Sequence, residues 1–289
     1  MENNASANAR IFDRGYQHYD GTRLGLGHSE WAMLRAALLR GLGLRRNFRN
    51  KIMPWLLIAI GFLPPVVILG IQIIAGLALT SPYARIYPRV DVVFILFAGL
   101  VAPDLICADR RERVISLYFS APITRLHYIA AQVASLVLLT LLLTLVPYLV
   151  LFFGQALLAP AFATFVGNNL SDLRGVVLGG TLIAIFYSAL AMAVAAFTDR
   201  RAYASGGFLG LVLVSGITGS ILSSPRLHFS GHEWYSLLDL LTMPISATRW
   251  LLNQPGRLPL DGAAYLWGSL AVIVVSLALV GWRYLKVGD

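Results

Sequence analysis

The chain has 289 residues, 57% of them hydrophobic and 13% charged, about half the charged share of an ordinary soluble domain. That balance excludes a globule surrounded by water and points to lipid. A formal net charge of +9 would suggest nucleic acid in a soluble protein. Beside so much apolar sequence it is tested first against membrane topology, because cytoplasmic loops collect Lys and Arg. The single cysteine, Cys107, excludes an internal disulfide.

Residues 1–29 are polar and glycine-bearing and read as an extended arm. Residues 30–51 read as an interfacial helix. Trp31, Leu34, Leu38 and Leu42 fall on one stripe with Arg40 opposite, although Gly41 and Gly43 weaken it. The first apolar run starts only at Pro54, too late for a signal peptide, so the first span is expected to stay as an anchor. A span needs about 20 apolar residues. Six runs approach or exceed this length: 54–79, 88–108, 128–153, 174–197, 202–222 and 263–282. Pro64, Pro65 and Pro147 lie inside spans and are expected to kink them. Between the last two spans, 223–262 holds two short apolar stretches, SLLDLLTMP and ATRWLL. Neither can cross a bilayer. They are expected to dip into the outer leaflet or cap the bundle.

The expected fold is therefore an all-α membrane protein. It has six transmembrane helices, an N-terminal interfacial helix and short extracytoplasmic re-entrant helices. Residues 1–53 form a cytoplasmic arm and interfacial helix, and 54–289 the transmembrane domain. With both termini inside, seventeen of the 23 Lys and Arg residues fall on the cytoplasmic side, as the positive-inside rule asks. That placement accounts for the basic character without nucleic acid.

The loop between the second and third spans, ADRRERVISLYFSAPITRLHYIAAQ, is the most informative stretch. Alternating charges at Asp109, Arg110, Arg111, Glu112 and Arg113 lead into an apolar turn at Val114, Ile115, Leu117, Tyr118 and Phe119. The turn breaks at Ser120-Ala121-Pro122, and Thr124 suits the N-cap of the next helix. A short amphipathic helix held by snorkelling arginines fits this pattern. The stretch also resembles the cytoplasmic loop of type-two ABC transporter permeases. Asp109-Arg110 match the family's Glu-Arg, and Leu117-Tyr118-Phe119-Ser120 its Leu-Leu-Leu-Ser. Pro122-Ile123-Thr124-Arg125 match its Pro-Val-Ser-Arg, and Tyr128 matches the aromatic that opens the next span. The family's Gly-Thr is replaced by Arg113-Val114. The N-terminal IFDRGYQHYDG is similar to the start of a subgroup of bacterial permeases of this class.

The resemblance implies a permease subunit of an exporter in the bacterial inner membrane, with drug-like, lipid or other amphipathic substrates. It implies a separate ABC ATPase subunit that binds ATP and Mg, a second permease chain, and surrounding lipid. The loop would be the coupling helix. Its contacts with the ATPase would be Asp109, Arg110, Arg111, Glu112, Arg113, Leu117, Tyr118, Phe119, Pro122 and Arg125. In agreement, the sequence contains no G-x-x-x-x-G-K-[ST] phosphate loop, so no cofactor is expected in this chain itself.

Two other classes compete. An intramembrane enzyme would need catalytic acids, Ser/His pairs or metal ligands inside spans. The spans hold no His, and a nucleophile elbow is missing. His228 and His232, four apart and with Glu233 beside them, could share a helix face, but metal sites normally take three or four ligands and the stretch reads as an exposed polar loop. A channel or scaffold would show a charged ring or pore-lining repeat, and neither is evident. Asp104 is expected near the cytoplasmic boundary as a structural tether, with Asp91 and Arg174 at span ends.

Overall fold

The computed structural model describes residues 25–44, 48–75, 83–111, 124–224, 232–254 and 259–286. Among these residues the regular structure is entirely helical. Helix α1 (Leu26–Gly41) is followed by α2 (Phe48–Ala75) and α3 (Tyr83–Arg111). The third span is divided into α4 (Arg125–Thr144) and α5 (Val146–Leu158). Then come α6 (Phe162–Asn168), α7 (Leu170–Ala196) and α8 (Arg201–Leu222). A 3-10 helix (His232–Leu238) and α9 (Met243–Leu251) precede α10 (Gly262–Lys286). Six stretches are long and apolar enough to cross a bilayer: Lys51–Ala75, Arg85–Arg111, Arg125–Leu158, Leu170–Ala196, Arg201–Leu222 and Gly262–Lys286. The expected all-α, six-span architecture is therefore present.

The spans form an inner and an outer set. The most apolar windows of α3 and α7 are each 78% buried, against 28%, 22% and 28% for α2, α8 and α10. Helix α7 is the axis, packing against α3, α4, α8, α9 and α10. Its sequence explains this. Gly175, Gly179, Gly180 and six alanines between Ala184 and Ala196 present little side-chain bulk, and small residues let helix backbones approach closely in lipid. The outer helices do the reverse. Leu63, Ile71 and Ile74 on α2, Val214 and Ile217 on α8, and Trp267 and Val274 on α10 are exposed, an apolar surface suited to hydrocarbon.

Large aromatics fill the space between α3, α5 and α7. Tyr87, Phe94, Phe97, Tyr148, Phe152 and Phe186 are fully buried. Tyr87 and Tyr148 stack with ring centroids 4.0 Å apart. Pro147 acts as expected. The helix breaks at Leu145 and restarts with proline in its first turn, where a missing N–H matters least. The Thr144 carbonyl at the break accepts from the Tyr87 hydroxyl at 3.1 Å, and the Thr144 hydroxyl donates to the Gly180 carbonyl at 2.9 Å. Neighbouring helices thus bond to the chain at the break, as kinked membrane helices require. Pro64 and Pro65, by contrast, lie within an unbroken α2.

Helix α1 differs from the expected stripe. Its buried residues are Met33, Ala37 and Gly41, while Trp31 is 59% exposed. The reason is close packing. A Cβ on Gly41 would collide with Leu139 of α4 and crowd Val101 of α3. The helix also ends at Gly41 rather than continuing to residue 51. Gly43 adopts φ 70°, and its N–H bonds the Arg40 carbonyl while Leu44 N–H bonds that of Leu39. This glycine-dependent stop is a Schellman motif.

Candidate functional site

The C-terminal half of α3 projects three acid or base side chains toward three different neighbours. Asp104 and Asp109 are five residues apart, about 140° around the helix at 3.6 residues per turn, so they face different partners. Asp109 is 2% exposed. One of its carboxylate oxygens accepts from the Arg40 guanidinium of α1 at 2.5 Å. The other accepts from the Tyr128 hydroxyl at 2.8 Å and the Gln132 amide at 3.3 Å, both on α4. One carboxylate therefore ties α1, α3 and α4 together. Arg110 turns the other way. Its guanidinium donates to the Ala196 carbonyl at the end of α7 and lies 3.0 Å from Asp199 in the α7–α8 turn. A cation there complements the helix C-terminus. Asp104 pairs with Arg201, the first residue of α8.

Cys107 completes this set. Its thiol reaches the Ala195 and Thr198 carbonyls at 3.7 and 3.3 Å, so the end of α7 is held from two positions on α3. On the far side of the connection, Thr124 caps α4 as expected, accepting from the His127 N–H. Arg125 donates to the Leu285 carbonyl near the end of α10 at 3.2 Å. The His127 imidazole lies 3.2 Å from Glu30 on α1. Both ends of the connection between α3 and α4 are thus fastened to the bundle.

Of the residues singled out from the sequence, the structure brings Asp109 and Arg110 into intramolecular networks and leaves Arg111 exposed. Arg125 stands at the start of α4. Glu112, Arg113, Leu117, Tyr118, Phe119 and Pro122 lie outside the described residues. Asp104 is the tether that its position suggested. Asp91 is not a span-end residue. It is 6% exposed and accepts from the Tyr187 hydroxyl of α7 at 2.7 Å. Its position along α3 is about 20 Å from Asp104 at 1.5 Å per residue. The same tyrosine hydroxyl contacts the Leu241 carbonyl at 2.9 Å, so the segment before α9 sits beside the middle of α7. Asp239 there accepts from the Leu241 and Thr242 N–H groups and the Thr242 hydroxyl. Among the described residues, no three His, Cys, Asp or Glu side chains gather as a metal-binding group.

The six apolar spans, the polar clamp at the α3–α4 connection and the sequence of that connection agree with one further finding. A family model described as ABC-2 family transporter protein matches residues 89–288. The chain belongs to the ABC-2 transporter family. No curated protein matches the sequence. The match begins within α3 and runs to the end of α10, so α1 and α2 precede it. As an ABC-2 family member the chain is a multi-pass membrane protein and a transporter component. The Asp91–Tyr187 pair was missed from sequence because its partners are 96 residues apart. The only sequence signal is an acid inside an apolar run, which marks intramembrane polar sites generally.

Proposed function

We propose that this ABC-2 protein is the permease subunit of an ATP-driven exporter in a bacterial inner membrane, powered by a separate ABC ATPase. The observation that carries this reading is the clamp on the 109–125 connection. Asp109 is bound by α1 and α4, Arg110 by the α7–α8 turn, and Arg125 by α10. A connection anchored to α1, the α7–α8 turn and α10 as well as to its own α4 can pass a push to much of the bundle, and packed interfaces shift as discrete bodies. ATP and Mg are held by the partner, since the sequence contains no phosphate loop.

In this reading both termini and residues 109–125 face the cytoplasm, and residues 1–53 form the arm and interfacial helix on that face. The ATPase contacts Arg111, Glu112, Arg113, Leu117, Tyr118, Phe119, Pro122 and Arg125. Asp109 and Arg110 belong to the same contact set and, like Arg125, also bond within the chain, which positions the two ends of the coupling helix. Exposed ion pairs contribute only about 0–1 kcal/mol each, so the apolar Leu117–Phe119 turn supplies the grip and the arginines set register. A second permease chain encloses the path. The 3-10 helix and α9 enter the outer leaflet as re-entrant elements, in keeping with the Leu241 carbonyl at Tyr187. The substrates are drug-like, lipid or other amphipathic molecules.

The test is reconstitution with the ATPase in vesicles at matched stoichiometry. The double variant Tyr118→Ala, Phe119→Ala is expected to assemble yet lose transport and substrate-stimulated ATP hydrolysis. Wild-type transport by that variant would remove the coupling role from this helix.

A further inference from the structure

At the end of the bundle opposite the clamp, a cavity of about 290 Å³ opens between the first turns of α7 and the last turn of α9. It is lined by Ser171, Arg174, Leu178, Trp250, Leu251 and Asn253, with Gly175 at its back. We propose that this cavity binds the phosphate-bearing headgroup of an anionic phospholipid.

The cation comes first. Arg174 is exposed and makes no hydrogen bond or ion pair among the described residues. Asp172 is only two residues away, but positions i and i+2 do not share a helix face. Asp172 lies close enough to Tyr83 to act on its phenol, which is pushed up chiefly by burial and then by that carboxylate. The guanidinium therefore remains available, and its planar fork suits a phosphate.

The wall is built rather than incidental. Gly175 allows the closure, because a Cβ there would meet the Leu251 carbonyl and the Leu252 side chain. Trp250 is set by α10, since a Cβ on Gly262 would collide with it. The turn after α9 is closed by its own backbone. Leu252 N–H bonds Thr248 O, Asn253 N–H bonds Trp250 O, and Gln254 N–H bonds Arg249 O. Asn253 holds φ 54°. Those three carbonyls already accept a backbone N–H, while the Leu251 carbonyl faces Gly175. Ser171 and Asn253 add neutral polar groups beside the cation.

Depth selects the ligand. Arg174 lies about 6 Å along α7 from Leu170 at 1.5 Å per residue, which is the level of headgroups rather than of acyl chains. Trp is favoured at that level. Leu178, one turn deeper and exposed, continues the wall toward hydrocarbon. A charged recess above an apolar wall fits a phosphodiester with attached chains better than a free anion. An arginine that merely snorkels would need no such recess.

The experiment uses the full chain, reconstituted in phosphatidylcholine vesicles with or without phosphatidylglycerol, then extracted in mild detergent for native mass spectrometry. The expected result is retained phosphatidylglycerol on wild type, with apparent affinity weakened about tenfold in Arg174→Gln. Arg174→Lys should recover part of it. Arg85→Gln, an exposed arginine at the same end, should retain lipid like wild type. Added inorganic phosphate should not displace the lipid. Equal retention by Arg174→Gln and wild type would overturn the proposal, as would an equal loss in Arg85→Gln. Displacement by inorganic phosphate would assign the cavity to a free anion instead. Thermal unfolding of Arg174→Gln should match wild type, because the side chain has no partner to lose.

Discussion

The two ends of the bundle are joined by different physics. At the α3–α4 connection, elements meet through charge: Asp109 with Arg40, Asp104 with Arg201, and Arg110 with Asp199. Around α9 they meet through hydrogen bonds, some of them to the Asp91 and Asp239 carboxylates, and through glycine contacts. The Thr248 hydroxyl lies 3.4 Å from the Gly179 carbonyl of α7 while its methyl fills the space above Gly179. Asp239 packs on Gly219, and the Tyr187 hydroxyl lies 2.9 Å from the Leu241 carbonyl. Charge acts at a distance and tolerates small displacements, whereas a glycine contact is lost within an ångström. The charged end is thus suited to move as a unit under load, and the α9 end to hold one shape.

The largest expected effect tests the charged end. Asp109→Ala removes a buried acceptor from Arg40, Tyr128 and Gln132 together. It should lower stability by about 3–5 kcal/mol, the range for breaking a buried pair, read as unfolding in detergent. A loss below about 1 kcal/mol would mean the three donors find water instead. Next is Gly179→Val, which drives a branched side chain into Thr248. Overpacking of this kind costs about 1–3 kcal/mol, and Thr248→Ala in the same chain should recover part of it. Tyr187→Phe should cost about 0.6–1.7 kcal/mol, the range for polar contacts between membrane helices, with no dependence on salt. The smallest effect is expected for Arg201→Gln. Its side chain is 44% exposed, so the pair with Asp104 is worth about 0–1 kcal/mol and should fade at high salt. Equal salt dependence in Tyr187→Phe and Arg201→Gln would erase the contrast between the ends.

The number of spans, their order and the tether at Asp104 were legible in the sequence, because length and hydropathy decide them locally. Thr124 was legible as a cap because capping is a local backbone need. The packing face of α1 was not. Met33, Ala37 and Gly41 are buried instead, with Gly41 fitting closely against Leu139 and Val101, and the small size of glycine leaves no hydropathy signal. The inner position of α7 was hidden for the same reason. The clamp on Asp109 could be suspected only from its place in the loop, since Arg40 lies 69 residues away. Asp91 was misplaced at a span end because α3 begins at Tyr83, ahead of the apolar run that marks it.

Which end of the bundle meets the ATPase is measured directly by cross-linking. A photo-reactive amino acid is placed at Tyr118 in one variant and at Tyr235, in the 3-10 helix, in another. Each is co-expressed with the ATPase and irradiated in intact membranes. The account predicts a cross-link to the ATPase from position 118, none from position 235, and loss of the first when Asp109→Ala is added. A cross-link from position 235, or none from position 118 in an assembled complex, would contradict it.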